Sequence, residues 1–416
     1  MSDHKVYILF HESKEGKPQW NWIGDNLIGP WAIDLDKDWF FQDDTLNDIF
    51  DHDPRFEYKN VQDLSQNDKW IYVLQWYYDR DIFAEDSPML DKFLSNPLLI
   101  DGLHKKLGFI AINLASECWY DDARVHAAES FMLKRNIPLD RVLFITGSIN
   151  ANDHFANKGY NIRPLVNLTF ERIARNLAKE GHRSDIKLPL IKRFLSFNRI
   201  HRPHRLLLLS KLYEANLLDY FVISFSKYSF DIDILDYARI ALPSVTPDYK
   251  ITIESLEKLY PKLPMIVDTD NWTPNLANYH ENNNVGYYYS RTGMSIVTET
   301  MFYEDSIFFS EKTFHPIRYC QPFIMLNSTG SLAELRNLGY KTFGNWIDES
   351  YDDIVDGNIR MQKIIDLISD IASWPSDKFS RFIDESRETC LHNLSNLMNN
   401  QNALICNNCL YDMYRQ

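Results

Sequence analysis

The chain has 416 residues, a formal charge of −14, and 45% hydrophobic and 14% aromatic residues. Such a composition excludes a disordered or low-complexity chain, and the length exceeds what one hydrophobic core usually supports, so two domains are expected. The net charge speaks against nucleic-acid binding, which needs Lys and Arg on phosphates. Yet ten Lys or Arg stand against two acids between Arg172 and Arg205, so that segment either meets an anion or forms a solvated basic face.

The chain opens with MSDHKVYILFHESKEG, a short apolar run followed at once by charge. Neither a signal peptide nor a membrane span is expected from it, and a cytoplasmic location is the expectation. Five scattered cysteines fit a reducing compartment better than a disulfide framework.

Continuous apolar runs of strand length recur at Val6–Phe10, Trp70–Gln75, Gly108–Asn113 and Arg141–Thr146, as expected of buried parallel strands. Between the last two, the spacing of Val125, Ala128, Phe131 and Met132 predicts an amphipathic helix. A second series follows, with strands at Arg193–Phe197, Tyr220–Phe225, Met294–Thr298, Pro322–Leu326 and around Lys341–Phe343, and a helix at Pro203–Ala215. From Ile359 to Met413 the pattern is helical.

The expected fold is therefore α/β, two doubly wound Rossmann-like domains with a cleft between them and a helical C-terminal segment. The expected parts are a first α/β domain over residues 1–170, a basic linker or helix over 171–190, a second α/β domain over 191–385 and a C-terminal helix over 386–416.

Three stretches could carry chemistry. Asn198-Arg199-Ile200-His201-Arg202-Pro203-His204-Arg205 runs from a strand into a helix, where unpaired N–H groups, the helix dipole and guanidinium forks suit a diphosphate. A solvated basic helix start is the plainer reading. In Ile307–Met325, IFFSEKTFHPIRYCQPFIM, Ser310 is a candidate N-cap with Glu311, Lys312 and Thr313 in the first turn. Helix capping explains the glutamate; the lysine opposes the dipole unless an anion joins it. Pro316 makes this helix short or kinked. Third, Glu117 follows the Gly108–Asn113 strand and is a candidate general base. His11, Ser148 and Asn150 occupy similar loop positions, where an ordinary loop residue is the plainer reading.

Other signals are weak. Cys406-Asn407-Asn408-Cys409 has no second pair to complete a zinc site, and the Asp268-Thr269-Asp270 triplet is expected by chance in a chain with 58 acids. GxxxxGK[ST] and GxGxxG are both absent from the sequence.

The order FLSFNRIHRPHRLLLLSKLYEANLLDYFVISFS, SIVTET, FFSEKTFHPIRYCQPFIMLNSTGSLAELRNLGYKTF and WIDESYDDI resembles the nucleotide-sugar half of GT-B glycosyltransferases, over residues 190–355. It is most similar to a group found in tailed phages and in bacterial surface-polysaccharide loci, and the Ser-Glu-Lys element resembles that of the α1,3-fucosyltransferase family. The first 165 residues carry no such resemblance.

The resemblance implies a nucleotide-sugar co-substrate, UDP-linked before GDP-linked, with no bound metal or other cofactor. It implies Arg199, Arg202 and Arg205 facing the donor diphosphate, Glu311 holding the ribose and Lys312 binding phosphate, with Thr298, Glu299, Ser310 and Thr313 also at the donor. In an inverting reaction Glu117 would take the acceptor proton. The preferred acceptor is hydroxymethylated cytosine in phage DNA, with double-stranded DNA as partner and no membrane. The alternatives are a saccharide or lipid-linked glycan acceptor and, in a different class, a non-catalytic nucleotide-sugar binding or structural protein.

Overall fold

The computed structural model describes residues 5–12, 18–19, 53–75, 94–114, 122–181, 185–229, 232–265, 285–400, 402 and 405–414. These form two compact units, one comprising residues 1–169 and 401–416, the other 170–400.

In the first unit, strands β1 (Val6–Glu12), β3 (Phe56–Asn60), β4 (Lys69–Gln75), β5 (Gly108–Leu114), β6 (Val142–Thr146) and β7 (Arg163–Val166) are parallel in the order β3-β1-β4-β5-β6-β7. The short β2 (Pro18–Gln19) pairs antiparallel with the end of β1. Helices α1 (Pro97–His104), α2 (Asp122–Lys134) and α3 (Ala151–Lys158) are interleaved with these strands. A strand covered on both faces has no polar side to show, which is why these strands read as unbroken apolar runs. Leu9, Tyr72, Leu74, Ile110, Ile112, Val142 and Phe144 pack with Val125, Phe131, Met132 and Phe155 on one face. The alternate residues Val6, Ile8, Ile71, Val73, Phe109, Leu143 and Ile145 pack with Cys406, Leu410 and Tyr414 on the other.

The second unit begins at Phe170, within α4 (Thr169–Lys179). Its parallel sheet runs β13-β12-β8-β9, from β8 (Lys192–Asn198), β9 (Phe221–Phe225), β12 (Thr292–Thr298) and β13 (Phe323–Leu326). A small hairpin, β10 (Tyr228–Ser229) and β11 (Ile232–Asp233), follows β9. Helices α5 (Pro203–Glu214), α6 (Ile234–Ala241), α7 (Tyr249–Leu259), α8 (Val285–Arg291) and α9 (Glu311–Arg318) are interleaved with these strands, and α10 (Ser331–Asn337) follows β13. Then α11 (Gly357–Ser373) and α12 (Ser376–Asn399) follow, and with α13 (Ile405–Met413), which belongs to the first unit, they form the C-terminal helical segment. Two Rossmann-like sheets followed by such a segment are consistent with a GT-B architecture. No helix among the described residues is long and apolar enough to cross a membrane.

Some expectations need correction. Residues 341–343 form no strand: the Lys341 N–H and C=O bond the Asn393 side chain at 2.7 and 2.9 Å, so a side-chain amide takes the place of a strand partner. The single C-terminal helix expected over residues 386–416 is α12, beginning at Ser376, followed by a separate α13. The stretch expected as a basic linker over 171–190 begins inside α4. The basic segment is not one face: Arg172, Arg175 and Arg205 are buried, whereas Lys179, Lys187 and Lys192 are exposed.

Candidate functional site

Taken in chain order, the four parallel strands of the second sheet have the spatial order second, first, third, fourth. Its topological switch point therefore lies between β8 and β12, and ligands of open α/β sheets bind outside the carboxyl ends of strands at such a point. The two stretches singled out for anion binding leave from there: Arg199–Arg202 follows β8, and Glu299–Ser310 joins β12 to α9.

The strand ends are bolted together by buried polar groups. The Thr298 hydroxyl donates to Asn198 Oδ1 at 2.7 Å, and Asn198 Nδ2 donates to the Ser196 hydroxyl at 3.0 Å. Arg205, on the first turn of α5, is 2% exposed and donates to the carbonyls of Ile200 (2.9 Å), Thr298 (2.9 Å) and Glu299 (3.2 Å). Burial, reinforced by the neighbouring charge of Arg202, pushes its pKa down to about 10. His204 Nε2–H donates to the Glu299 carbonyl at 2.9 Å while its ring stacks on Phe302. Burial, with Arg205 and Arg202 adding to it, holds that imidazole well below its ordinary pKa, hence neutral.

Arg202 is the N-cap of α5, and Pro203 at the first helical position fixes the entry of the helix. Its guanidinium is half-buried and makes no hydrogen bond or ion pair among the described residues. Tyr237 on α6 lies within electrostatic reach of Arg202 and Arg205; burial raises its phenol pKa against the pull of both.

At the mouth of α9, Ser310 caps the helix, its hydroxyl accepting from the Lys312 N–H at 3.3 Å. Lys312 Nζ donates to Glu311 Oε1 at 2.6 Å and to the Ser310 hydroxyl at 3.3 Å. Glu311 and Lys312, expected to reach separately for ribose and phosphate, thus close on each other as a local ion pair. Burial would raise the Glu311 pKa, but the charge and hydrogen bond of Lys312, with Arg205 beyond, outweigh it and hold it below the ordinary value.

Glu299, expected near the nucleotide or sugar, has a fully buried carboxylate bonded to Thr300, Ser310 and Thr313. Among the residues expected at the donor, then, Arg205, Thr298, Glu299, Ser310 and Thr313 have polar atoms engaged with the protein itself. Arg199, half-buried, sits just past the end of β8.

In the first unit, His11 lies at the carboxyl end of β1, opposite Gln19 of β2, and β1 and β4 flank the switch point of that sheet. Ser148 and Asn150 shape the turn after β6: the Ser148 hydroxyl donates to Asn150 Oδ1 at 3.1 Å, and the Ser148 N–H to the Thr146 hydroxyl at 3.2 Å. Glu117 lies outside the described residues, as do Asp268, Thr269 and Asp270. Among the described residues no group of three or more His, Cys, Asp or Glu could hold a metal ion.

Sequence reasoning missed Asn198 and His204 as parts of the framework, although a polar residue closing an apolar strand was a usable signal. Tyr237 had none, since only the fold brings α6 to the corner.

No family model and no curated protein matches the sequence. Among solved structures, an alpha,alpha-trehalose-phosphate synthase (UDP-forming) from Burkholderia vietnamiensis superposes with a TM-score of 0.43 at 10% identity, over 85% of this chain and 73% of that one. A DNA-modifying beta-glucosyltransferase, solved with and without its substrate uridine diphosphoglucose, gives 0.42 at 10% identity over 99% and 100%. A likeness this loose decides neither substrate nor activity.

Proposed function

We propose that the second unit binds the diphosphate of a nucleotide sugar at its switch point and that the protein transfers the sugar to a hydroxyl acceptor. The observation that carries this reading is Arg202: a half-buried guanidinium at a helix start, with no hydrogen bond or ion pair among the described residues, beside a second, buried arginine. Two adjacent cations, one of them with no ion pair among the described residues, call for an anion, and Arg205 lies within electrostatic reach of both Arg202 and Glu311.

In the proposed reaction the bond from the anomeric carbon to the diphosphate oxygen breaks, and the diphosphate leaves with the electron pair. Arg199, Arg202, Lys312 and the start of α5 stabilise that developing charge. The acceptor oxygen bonds to the anomeric carbon, and Glu117 is proposed to take its proton. Lys312 would exchange its pairing with Glu311 for the phosphate, freeing the Glu311 carboxylate for ribose hydroxyls.

The acceptor proposed first is hydroxymethylated cytosine in DNA, on the resemblance of the sequence motifs to phage enzymes. The burial of Arg172, Arg175 and Arg205 favours the second reading, a saccharide or lipid-linked glycan, because it leaves less basic surface for phosphates.

A thermal-shift panel of UDP- and GDP-sugars should show stabilisation by at least one donor. Arg202→Ala and Lys312→Ala should each weaken that donor by about 10–100-fold, the worth of a charge-assisted hydrogen bond, with an unchanged circular dichroism spectrum. Wild-type affinity in both variants would overturn the reading. Transfer to hydroxymethylated duplex, with affinity falling steeply in salt, would select the DNA acceptor; transfer only to glycans would select the other.

A further inference from the structure

We propose that Glu299 is the positioning residue that holds the two halves of this anion site in register, without touching the ligand. The proposal deepens the diphosphate reading and rests on it.

Glu299 is 0% exposed, and each of its polar groups is bound to a different part of the fold. Its N–H donates to the Leu326 carbonyl of β13 at 3.0 Å. Its carbonyl accepts from His204 and Arg205 of α5, at 2.9 and 3.2 Å. Its carboxylate faces the start of α9: Oε1 accepts from the Ser310 N–H (3.0 Å), the Thr313 N–H (3.1 Å) and the Thr313 hydroxyl (2.6 Å). Oε2 accepts from the Ser310 hydroxyl at 2.6 Å and the Thr300 N–H at 3.3 Å.

A carboxylate placed at a helix N-terminus satisfies orphan donors and complements the dipole. Here it does so from outside the helix, twelve residues upstream in sequence, on the residue that also receives the arginine corner. One side chain therefore fixes α9 relative to α5. It also acts on Lys312 through an intermediary, because the Ser310 hydroxyl that donates to Glu299 accepts from Lys312 Nζ at 3.3 Å. With five donors already on its two oxygens, the carboxylate has little capacity left for a sugar hydroxyl.

The test uses the full-length protein, with inorganic pyrophosphate and UDP as probes of the diphosphate site and UDP-glucose as a sugar-bearing donor. Glu299→Asp keeps the charge but is one methylene short of α9; Glu299→Gln keeps the length and the Oε1 contacts. Asp should weaken pyrophosphate and UDP by a common factor of about ten or more, and Gln, which keeps the Oε1 contacts but puts an Nε2–H donor where Oε2 accepted, should weaken both by clearly less than Asp does. Adding Lys312→Ala to Glu299→Asp should cost less than Lys312→Ala costs alone, since the two act as one unit.

Amide exchange at residues 310–313 should quicken in Asp and not in Gln. A folded Asp variant with wild-type pyrophosphate affinity would overturn the proposal, as would a loss confined to UDP-glucose, which would mark a direct sugar contact. Should the wild type bind no probe at all, the diphosphate reading fails, while amide exchange still decides whether Glu299 holds the turn.

Discussion

Glu311 and Lys312 stand side by side at the mouth of α9, and their local ion pair sets a pH dependence whose sign can be worked out. Burial raises the carboxyl pKa, but Lys312 and Arg205 bring it below the ordinary 4.5. A folded-state pKa depressed in this way contributes stability that is present above the unfolded value and lost as pH falls through the folded one. Both side chains are about a quarter exposed, so the contribution is modest, about 0.5–1 kcal/mol. Wild type should therefore unfold at a higher temperature than Glu311→Gln above pH about 5, and the gap should close as the pH drops toward 3. A gap independent of pH across that range would show that the pair adds nothing through its charge. The sequence made this pair conspicuous, because a lysine in a first helical turn invites a partner. It could not tell that Glu299 turns inward, since side-chain direction at a strand end depends on register, and register depends on the neighbouring strands.

At the scale of elements, most strands were readable because parallel strands covered on both faces are apolar throughout; β12 is buried along its whole length. Besides the two-residue β2, two strands of the first sheet were missed. β3, FEYKN, carries charges, and β7, RPLV, is four residues long with a proline, as sheet edges tolerate. The join between α1 and β5 gives a test. Gly102 and Gly108 leave room for the Trp70 indole, which is 1% exposed; a Cβ on Gly102 would lie 2.8 Å from its Nε1, and one on Gly108 would overlap the ring itself. Because Trp70 cannot move without disturbing β4, Gly108→Ala should destabilise the fold by about 1–3 kcal/mol through overpacking, measured by urea unfolding. Gly159, where nothing lies within 4 Å of an added Cβ, is the control for steric effects, although its φ of 70° carries a backbone cost of its own. If Gly108→Ala were as stable as wild type, the close packing of the indole against the β5 backbone would be wrong.

Across the whole molecule, the chain leaves the first unit after Thr169 and comes back to it at Gln401, so the first unit is built from both ends of the sequence. That return was not legible as a domain feature: a run of amphipathic helices from residue 359 onward reads as one continuous segment, and nothing in its spacing says which unit each helix joins. The structure assigns α11 and α12 to the second unit and α13 to the first. Leu410 is 0% exposed and Cys406 and Tyr414 are buried beside it against Ile8, Ile71, Phe109 and Leu143. The Tyr414 hydroxyl donates to the Trp70 carbonyl, and Lys69 Nζ donates to the Tyr414 carbonyl at 2.7 Å. Removing α13 would uncover one face of a parallel sheet, an arrangement that such sheets do not tolerate. Leu410→Ala should therefore cost about 2–5 kcal/mol, the range for a fully buried leucine, and truncation after Asn400 should unfold the first unit altogether. The second unit, with its own sheet and the nucleotide-sugar site proposed for it, should keep its proteolytic resistance and its thermal shift with UDP in the truncated chain. Limited proteolysis followed by mass spectrometry separates the outcomes: cuts confined to residues 5–169 fit the division, whereas simultaneous loss of both units would mean that they fold as one.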